Sequence, residues 1–187
     1  GGFGVLNHGH NHDRILKARI NFQNQNKVEV HKNFLCPYLA ALSFNISQIL
    51  PGDLNVSYLP NSGAEANEGA IKLAYKYHNG KRKYILHSNI SFHGKLLATG
   101  SISSSPEVKF KFPGLTNTDQ FIWNDINDLK NKIEKYKASD GSSDIYAIII
   151  EPFSASSLLE CSEDFLRELR KLCSNNKIIL IFDEIYT

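Results

Sequence analysis

The chain has 187 residues, 42% of them hydrophobic and 21% charged. That is the balance of an ordinary globular protein and not of a disordered, collagen-like or coiled-coil one. The 21 Lys and Arg against 19 Asp and Glu leave a net charge of +2, with no basic footprint for nucleic acid or an acidic membrane surface.

The longest apolar runs, Ile145 to Ile150 and Ile178 to Phe182, fall far short of the ~20 residues that span a bilayer. Cys36, Cys161 and Cys173 are scattered and odd in number, which argues for a reducing, cytoplasmic setting and against a disulfide framework. No Met occurs, although a nascent chain starts with one, and Gly1-Gly2 opens neither a signal nor a transit peptide. The sequence is therefore expected to be a piece of a longer chain.

In chain order, Asp13 as N-cap and the spacing of Ile15, Leu16, Ala18 and Phe22 predict a first helix. Tyr38 to Leu50 predicts a second, stopped by Pro51-Gly52. Asn55 to Pro60 reads as a short strand, and Gly63 to His78 as a strongly patterned helix closed by Asn79-Gly80. Lys83 to His87 is a strand and Gly94 to Ser103 a helix. A loop-rich stretch through Pro106, Pro113 and Gly114 follows, then a helix from Asp125 to Lys137. Asp144 to Glu151 is a buried strand, Glu163 to Ser174 a helix, and Lys177 to Phe182 a last strand with no helix after it. Strands separated by helix-length patterns predict an α/β fold with a mainly parallel sheet covered on both faces. Ligands in such folds bind beyond the carboxyl ends of the strands.

Four segments invite chemistry. Asn61-Ser-Gly-Ala-Glu-Ala-Asn-Glu68 holds a capping box, Ser62 with Glu65 three residues on. Small Gly63 and Ala64 at a helix N-terminus also suit an anion, and spacing alone does not choose between these compatible readings. Ser91-Phe-His-Gly94 is either a plain turn or a place where an aromatic face meets a planar ligand. Gly94-Lys95 is no phosphate loop, because the upstream Gly is missing and Leu96 stands where Ser or Thr would be needed. Glu151 and Asp183 each end an apolar strand, where an unpaired carboxylate is costly, so each needs a donor. His8, His10 and His12 would share one face of an extended segment, but no fourth ligand accompanies them and no metal site is predicted.

Taken in order, Asn7-His-Gly-His-Asn-His12, the block Asn61 to Ala74, Ser91-Phe-His-Gly94, Ile150-Glu-Pro152 and Ile181-Phe-Asp-Glu-Ile185 resemble class III aminotransferases, the ornithine, acetylornithine and 4-aminobutyrate group of fold type I. The likeness runs from Gly4 to Thr187, and the Asn61 to Ala74 block is its most specific part. The resemblance implies residues 1–52 as an N-terminal interdomain helical segment and 53–187 as the first part of the cofactor-binding large domain. It implies pyridoxal 5′-phosphate, an amine or amino acid donor, an oxo-acid acceptor and a homodimer.

By the same resemblance Ser62, Gly63 and Ala64 lie at the cofactor phosphate, and Phe92 and His93 contact the cofactor, Phe92 stacking on the ring. Asp183 pairs with the ring nitrogen as the catalytic carboxylate, Ile185 packs on the other face, and Glu151 and Tyr186 lie toward the phenolic oxygen. Aminomutase and decarboxylase relatives share these motifs. Asp13 replaces a usual Pro and Tyr186 a usual Gln, and Phe153-Ser-Ala-Ser-Ser157 departs from the family's Gly-containing loop. No amine donor is therefore carried over. The family's Schiff-base lysine lies beyond the strand of Asp183, so this chain alone is expected to be inactive, and a non-catalytic binding module is the rival reading.

Overall fold

The computed structural model describes residues 2, 4–27, 35–104, 113–154 and 156–187. The predicted loop at Pro106 and the position of Ala155 lie outside the described residues. The chain forms two units, Gly1–Tyr58 and Leu59–Thr187.

The first unit holds helices α1 (Asp13–Asn24) and α2 (Pro37–Ile49). The N-cap of α1 is His12. Asp13 is the first helical residue, where its charge still favours the helix dipole without capping it. Pro37 starts α2 because its missing N–H is not needed in the first turn. Phe22 and Tyr38 meet edge to face, 5.2 Å between ring centres. Asn55 to Pro60 is not the predicted strand. Among the described residues it pairs with no neighbour, and Val56 and Tyr58 stay exposed.

The second unit is built on a four-stranded parallel sheet. In chain order it runs α3 (Gly63–Tyr77), β1 (Tyr84–Ser88), α4 (Leu97–Ser101), β2 (Thr118–Phe121), α5 (Ile126–Lys135), β3 (Ile145–Ile150), the small hairpin β4 (Phe153–Ser154) and β5 (Leu159–Glu160), α6 (Glu163–Asn175) and β6 (Ile179–Phe182). The strand order is β2-β1-β3-β6. The chain steps from β1 to one side and then returns to the other, so β1 and β3 flank a topological switch point, where a crevice opens beyond the carboxyl ends.

Both faces are covered, as a parallel sheet requires. Leu86, Ile148 and Ile150 pack with Leu129 and Ile133 of α5 and Phe165 and Leu169 of α6. Ile85, Ala147 and Ile149 pack on the opposite face with Ile71 and Ala74 of α3 and Ala98 of α4. A bulge passes over Tyr146, since Tyr84 pairs with Ile145 and Ile85 with Ala147. Tyr146 thereby joins Ala147 on the α3 side.

Strand β2 and the hairpin were not expected. Thr-Asp-Gln-Phe offers one apolar side chain to the core, too little for an alternation signal. What fixes β2 is Asp119, whose carboxylate accepts from Lys132 at 2.9 Å, Lys135 at 3.0 Å and the Tyr136 hydroxyl at 2.7 Å. Helix α4 is shorter than the predicted Gly94 to Ser103, because Gly94 sits at φ +123 and cannot continue a helix. A Cβ on Gly94 would come within 2.5 Å of the Ala64 Cβ, so the loop after β1 lies directly on the first turn of α3.

Two outcomes follow from this packing. Gly94→Ala meets both a disfavoured backbone angle and Ala64, and should destabilise the protein by about 2–3 kcal/mol in urea unfolding. Burial pushes the Asp119 carboxyl up, but the Tyr136, Lys132 and Lys135 hydrogen bonds outweigh it and hold it well below the usual range. A depressed folded value means its contribution is complete above about pH 4 and shrinks as pH falls below that. Asp119→Asn should therefore be less stable by about 1–2 kcal/mol at pH 7, and the gap to the parent should narrow in acid. A gap independent of pH would contradict the clamp.

Candidate functional site

The site grows from the N-terminus of α3. Ser62 is the N-cap and accepts from the Glu65 N–H at 3.2 Å. The Glu65 carboxylate reaches back to the Asn61 N–H at 2.7 Å, one residue before the cap itself. Only the Ser62 half of the predicted capping box forms, and neither hydrogen bond uses the Gly63 or the Ala64 N–H. Those two donors have no partner among the described residues, and they point along a dipole that favours anions. The hydrogen bonds that close the helix end thus leave these two N–H groups available.

The Ile185 Cδ1 packs directly on Gly63, within 2.2 Å of where a Cβ would stand, so a side chain there would have to displace the end of Ile185. Ile185 follows β6 and is 61% exposed. The same loop carries Asp183, just beyond the last residue of β6. Its N–H donates to Ile150 O at 2.9 Å, extending the β3–β6 ladder by one bond. Asp183 is only 8% exposed. Its Oδ2 accepts from Asn67 Nδ2 and from His93 Nδ1, both at 2.8 Å. Its Oδ1 has only a long contact from the Ile185 N–H at 3.4 Å. Burial pushes the carboxyl up, but the hydrogen bonds and charge of His93 and the Asn67 amide outweigh it and leave the acid below its ordinary value. At neutral pH Asp183 is an anion with one oxygen still able to accept.

The loop after β1 supplies Phe92 and His93. Phe92 is 39% exposed, while its backbone N–H donates to the Glu151 Oε1 at 2.8 Å. Glu151, buried just beyond β3, therefore anchors the loop that presents Phe92. His93 does not face the opening as expected of a cofactor contact. Its side chain is fully enclosed, with its N–H bound to the Ser103 hydroxyl at 2.9 Å. Its Nδ1 donates to the Asp183 carboxylate, which leaves Nε2 without a partner among the described residues. Tyr186 lies in the exposed turn after β6.

The structure thus brings the segments of Gly63 and Ala64, Phe92 and His93, Glu151, and Asp183 and Ile185 against one another beyond the carboxyl ends of the strands, with Glu151 and His93 buried and Phe92 and Ile185 exposed. Two residues were missed. Glu68 accepts the N–H groups of Ala98 at 2.8 Å and Thr99 at 3.0 Å and so seats α4. Asn67 lies on the stripe of α3 that also holds Ile71 and Ala74. A polar residue at an apolar helical position is the signal that marks it. His8, His10 and His12 lie in the first unit, and His8 and His12 touch edge to face at 6.0 Å. Among the described residues no three His, Cys, Asp or Glu side chains are placed to hold a metal, and no helix is long and apolar enough to cross a membrane.

Putrescine aminotransferase of Pectobacterium atrosepticum is 29% identical over all of this chain and 40% of its own length. Acetylornithine aminotransferase of Prochlorococcus marinus MIT 9313 is 33% identical over 95% of this chain and 43% of its own. Among solved structures, a transaminase from the marine bacterium Virgibacillus superposes with a TM-score of 0.81 at 23% identity, covering 93% of this chain and 42% of that one. Ornithine aminotransferase of Toxoplasma gondii gives 0.78 at 20% identity, covering 97% and 42%. The chain therefore spans less than half the length of the relatives it matches, and at these identities the structures speak to the fold alone. The family model described as aminotransferase class-III matches residues 1–187 throughout, and the chain belongs to the class III aminotransferase family.

Proposed function

We propose that the whole protein is a pyridoxal 5′-phosphate-dependent aminotransferase, moving an amino group from an amine or amino acid to an oxo acid, and that this chain carries the front of its cofactor site. The observation that carries the reading is Asp183: a buried, ionised carboxylate at the end of a strand with one oxygen left to accept. The rest of the crevice fits the same group. Gly63 and Ala64 offer free N–H donors to a phosphate. Phe92 and Ile185 offer exposed apolar side chains to a flat ring.

Bound there, the cofactor would supply an electron sink for the carbanion formed at the substrate Cα. The chain's own residues make that possible in separable ways. Asp183 holds the proton at the ring nitrogen by accepting it in a charge-assisted hydrogen bond. His93 and Glu151 keep the acceptor and the stacking loop in place. Phe92 and Ile185 exclude water from the ring faces. Tyr186 is assigned to the phenolic oxygen side, and Ser62 to holding the helix end whose N–H groups meet the phosphate. The lysine that links the cofactor is assigned to the part of the protein following Asp183.

The same reading includes a homodimer in the cytoplasm. The free Cys36, Cys161 and Cys173 support the reducing setting.

Two substitutions in the full-length protein test the assignment from opposite ends. Ala64→Asp sets a negative charge against the phosphate and should weaken cofactor binding by at least ~1 kcal/mol, read in a fluorescence titration. Asp183→Ala should retain more of the cofactor but slow exchange of a substrate Cα deuterium with solvent by at least about a hundredfold. Near-parental exchange in that variant would remove Asp183 from the mechanism.

A further inference from the structure

Of the three buried residues of α3, Asn67, Ile71 and Ala74, only the first is polar. An apolar side chain would pack that stripe without any need for partners, so packing does not account for an amide there. Its Nδ2 donates to Asp183 Oδ2 at 2.8 Å and to the His93 carbonyl oxygen at 3.0 Å, which uses both of its hydrogens. His93 Nδ1 donates to the same Oδ2. The three residues therefore close a ring in which Asn67 holds the carboxylate and also the backbone from which the imidazole departs. Four residues earlier on α3 stands Gly63, about 6 Å back along the helix axis. The same helix thus carries the free N–H groups at its end and a grip on the carboxylate one turn later.

We propose that Asn67 is a positioning residue that turns the Asp183 carboxylate so that Oδ1 is presented to the cofactor's ring nitrogen, and that locks the anion-holding end of α3 and this carboxylate into one rigid unit. The inference rests on the cofactor reading above and extends it to a residue that does not itself touch the cofactor. Two donors on Oδ2 leave Oδ1 as the freer acceptor. With Asn67 removed, His93 alone would hold the carboxylate, which could then rotate about its Cβ–Cγ bond. The groups that face Asp183 are Asn67 from α3, His93 from the loop after β1, and the Ile185 N–H from its own segment. Glu184, the adjacent charge, is exposed.

The test uses the full-length protein with Asn67→Leu and Asn67→Asp. In the cofactor-free state, carbon-13 NMR follows the carboxyl titration of Asp183, assigned by its loss in Asp183→Asn. Asn67→Leu should raise the proton affinity of Asp183 about tenfold, one charge-assisted hydrogen bond having been lost. Asn67→Asp, nearly isosteric, should raise it further, because two adjacent carboxylates cannot both ionise freely, and it keeps the test alive where Asn67→Leu fails to fold. Each folded variant should also bind pyridoxal 5′-phosphate more weakly than the parent, by no more than Asp183→Ala does. A purely structural role would lower the melting temperature and leave both the titration and the affinity of the folded protein unmoved. Parental titration and cofactor affinity in a folded variant would overturn this assignment alone. A parental protein that binds no cofactor would overturn the functional reading and this assignment with it.

Discussion

A carboxylate removed from water is tolerable only where other donors replace its hydration, and Asp183 imposes that requirement on three separate segments. Its two short hydrogen bonds come from α3 and from the loop after β1, while its own backbone is tied to β3. Those segments must approach within hydrogen-bond reach of one another, and the small residues follow from that. Gly94 lies against Ala64, and Gly63 lies under Ile185. The run of small and polar residues from Asn61 to Ala70 is thus a consequence of where the charge sits as much as of helix formation.

The sheet supplies the frame in which this convergence is possible. Parallel strands put every carboxyl end on one side, and the order β2-β1-β3-β6 places the end of β1 beside the end of β3, with β6 next. Glu151 and Asp183 therefore lie beyond neighbouring strands, and each accepts from the β1 loop, one at the Phe92 N–H and the other at the His93 ring. The opposite end of the sheet is held differently. The Arg82 guanidinium donates to the carbonyls of Ile145, Asn176 and Lys177, at 2.8, 3.1 and 2.9 Å, joining the starts of β3 and β6.

What was legible in the sequence divides along physical lines. β3 and α3 could be read because each satisfies a local rule, a continuous β-branched run in one case and an amphipathic period with a cap in the other. β2 could not, since its stability comes from an acid answered by two lysines and a tyrosine on another element. The segment Asn55 to Pro60 misled for the converse reason: it alternates like a strand but has no partner among the described residues. In the crevice, Phe92, Asp183 and Ile185 were visible through the family pattern. Only the coordinates separate His93 and Asn67, which reach the carboxylate, from the residues that border open space.

The energetics of Asp183 explain why its surroundings read as chemistry. Replacing a well-donated buried charge and its partners by apolar residues of similar volume is often neutral or stabilising, so the fold itself has little use for this arrangement. Asn67 and His93 offset the burial of the anion enough to keep it ionised, and they do so on one oxygen only. A group whose sole role was stability would be expected to have both oxygens satisfied from within the chain. Leaving Oδ1 with a single 3.4 Å contact among the described residues makes sense where an external N–H completes the set.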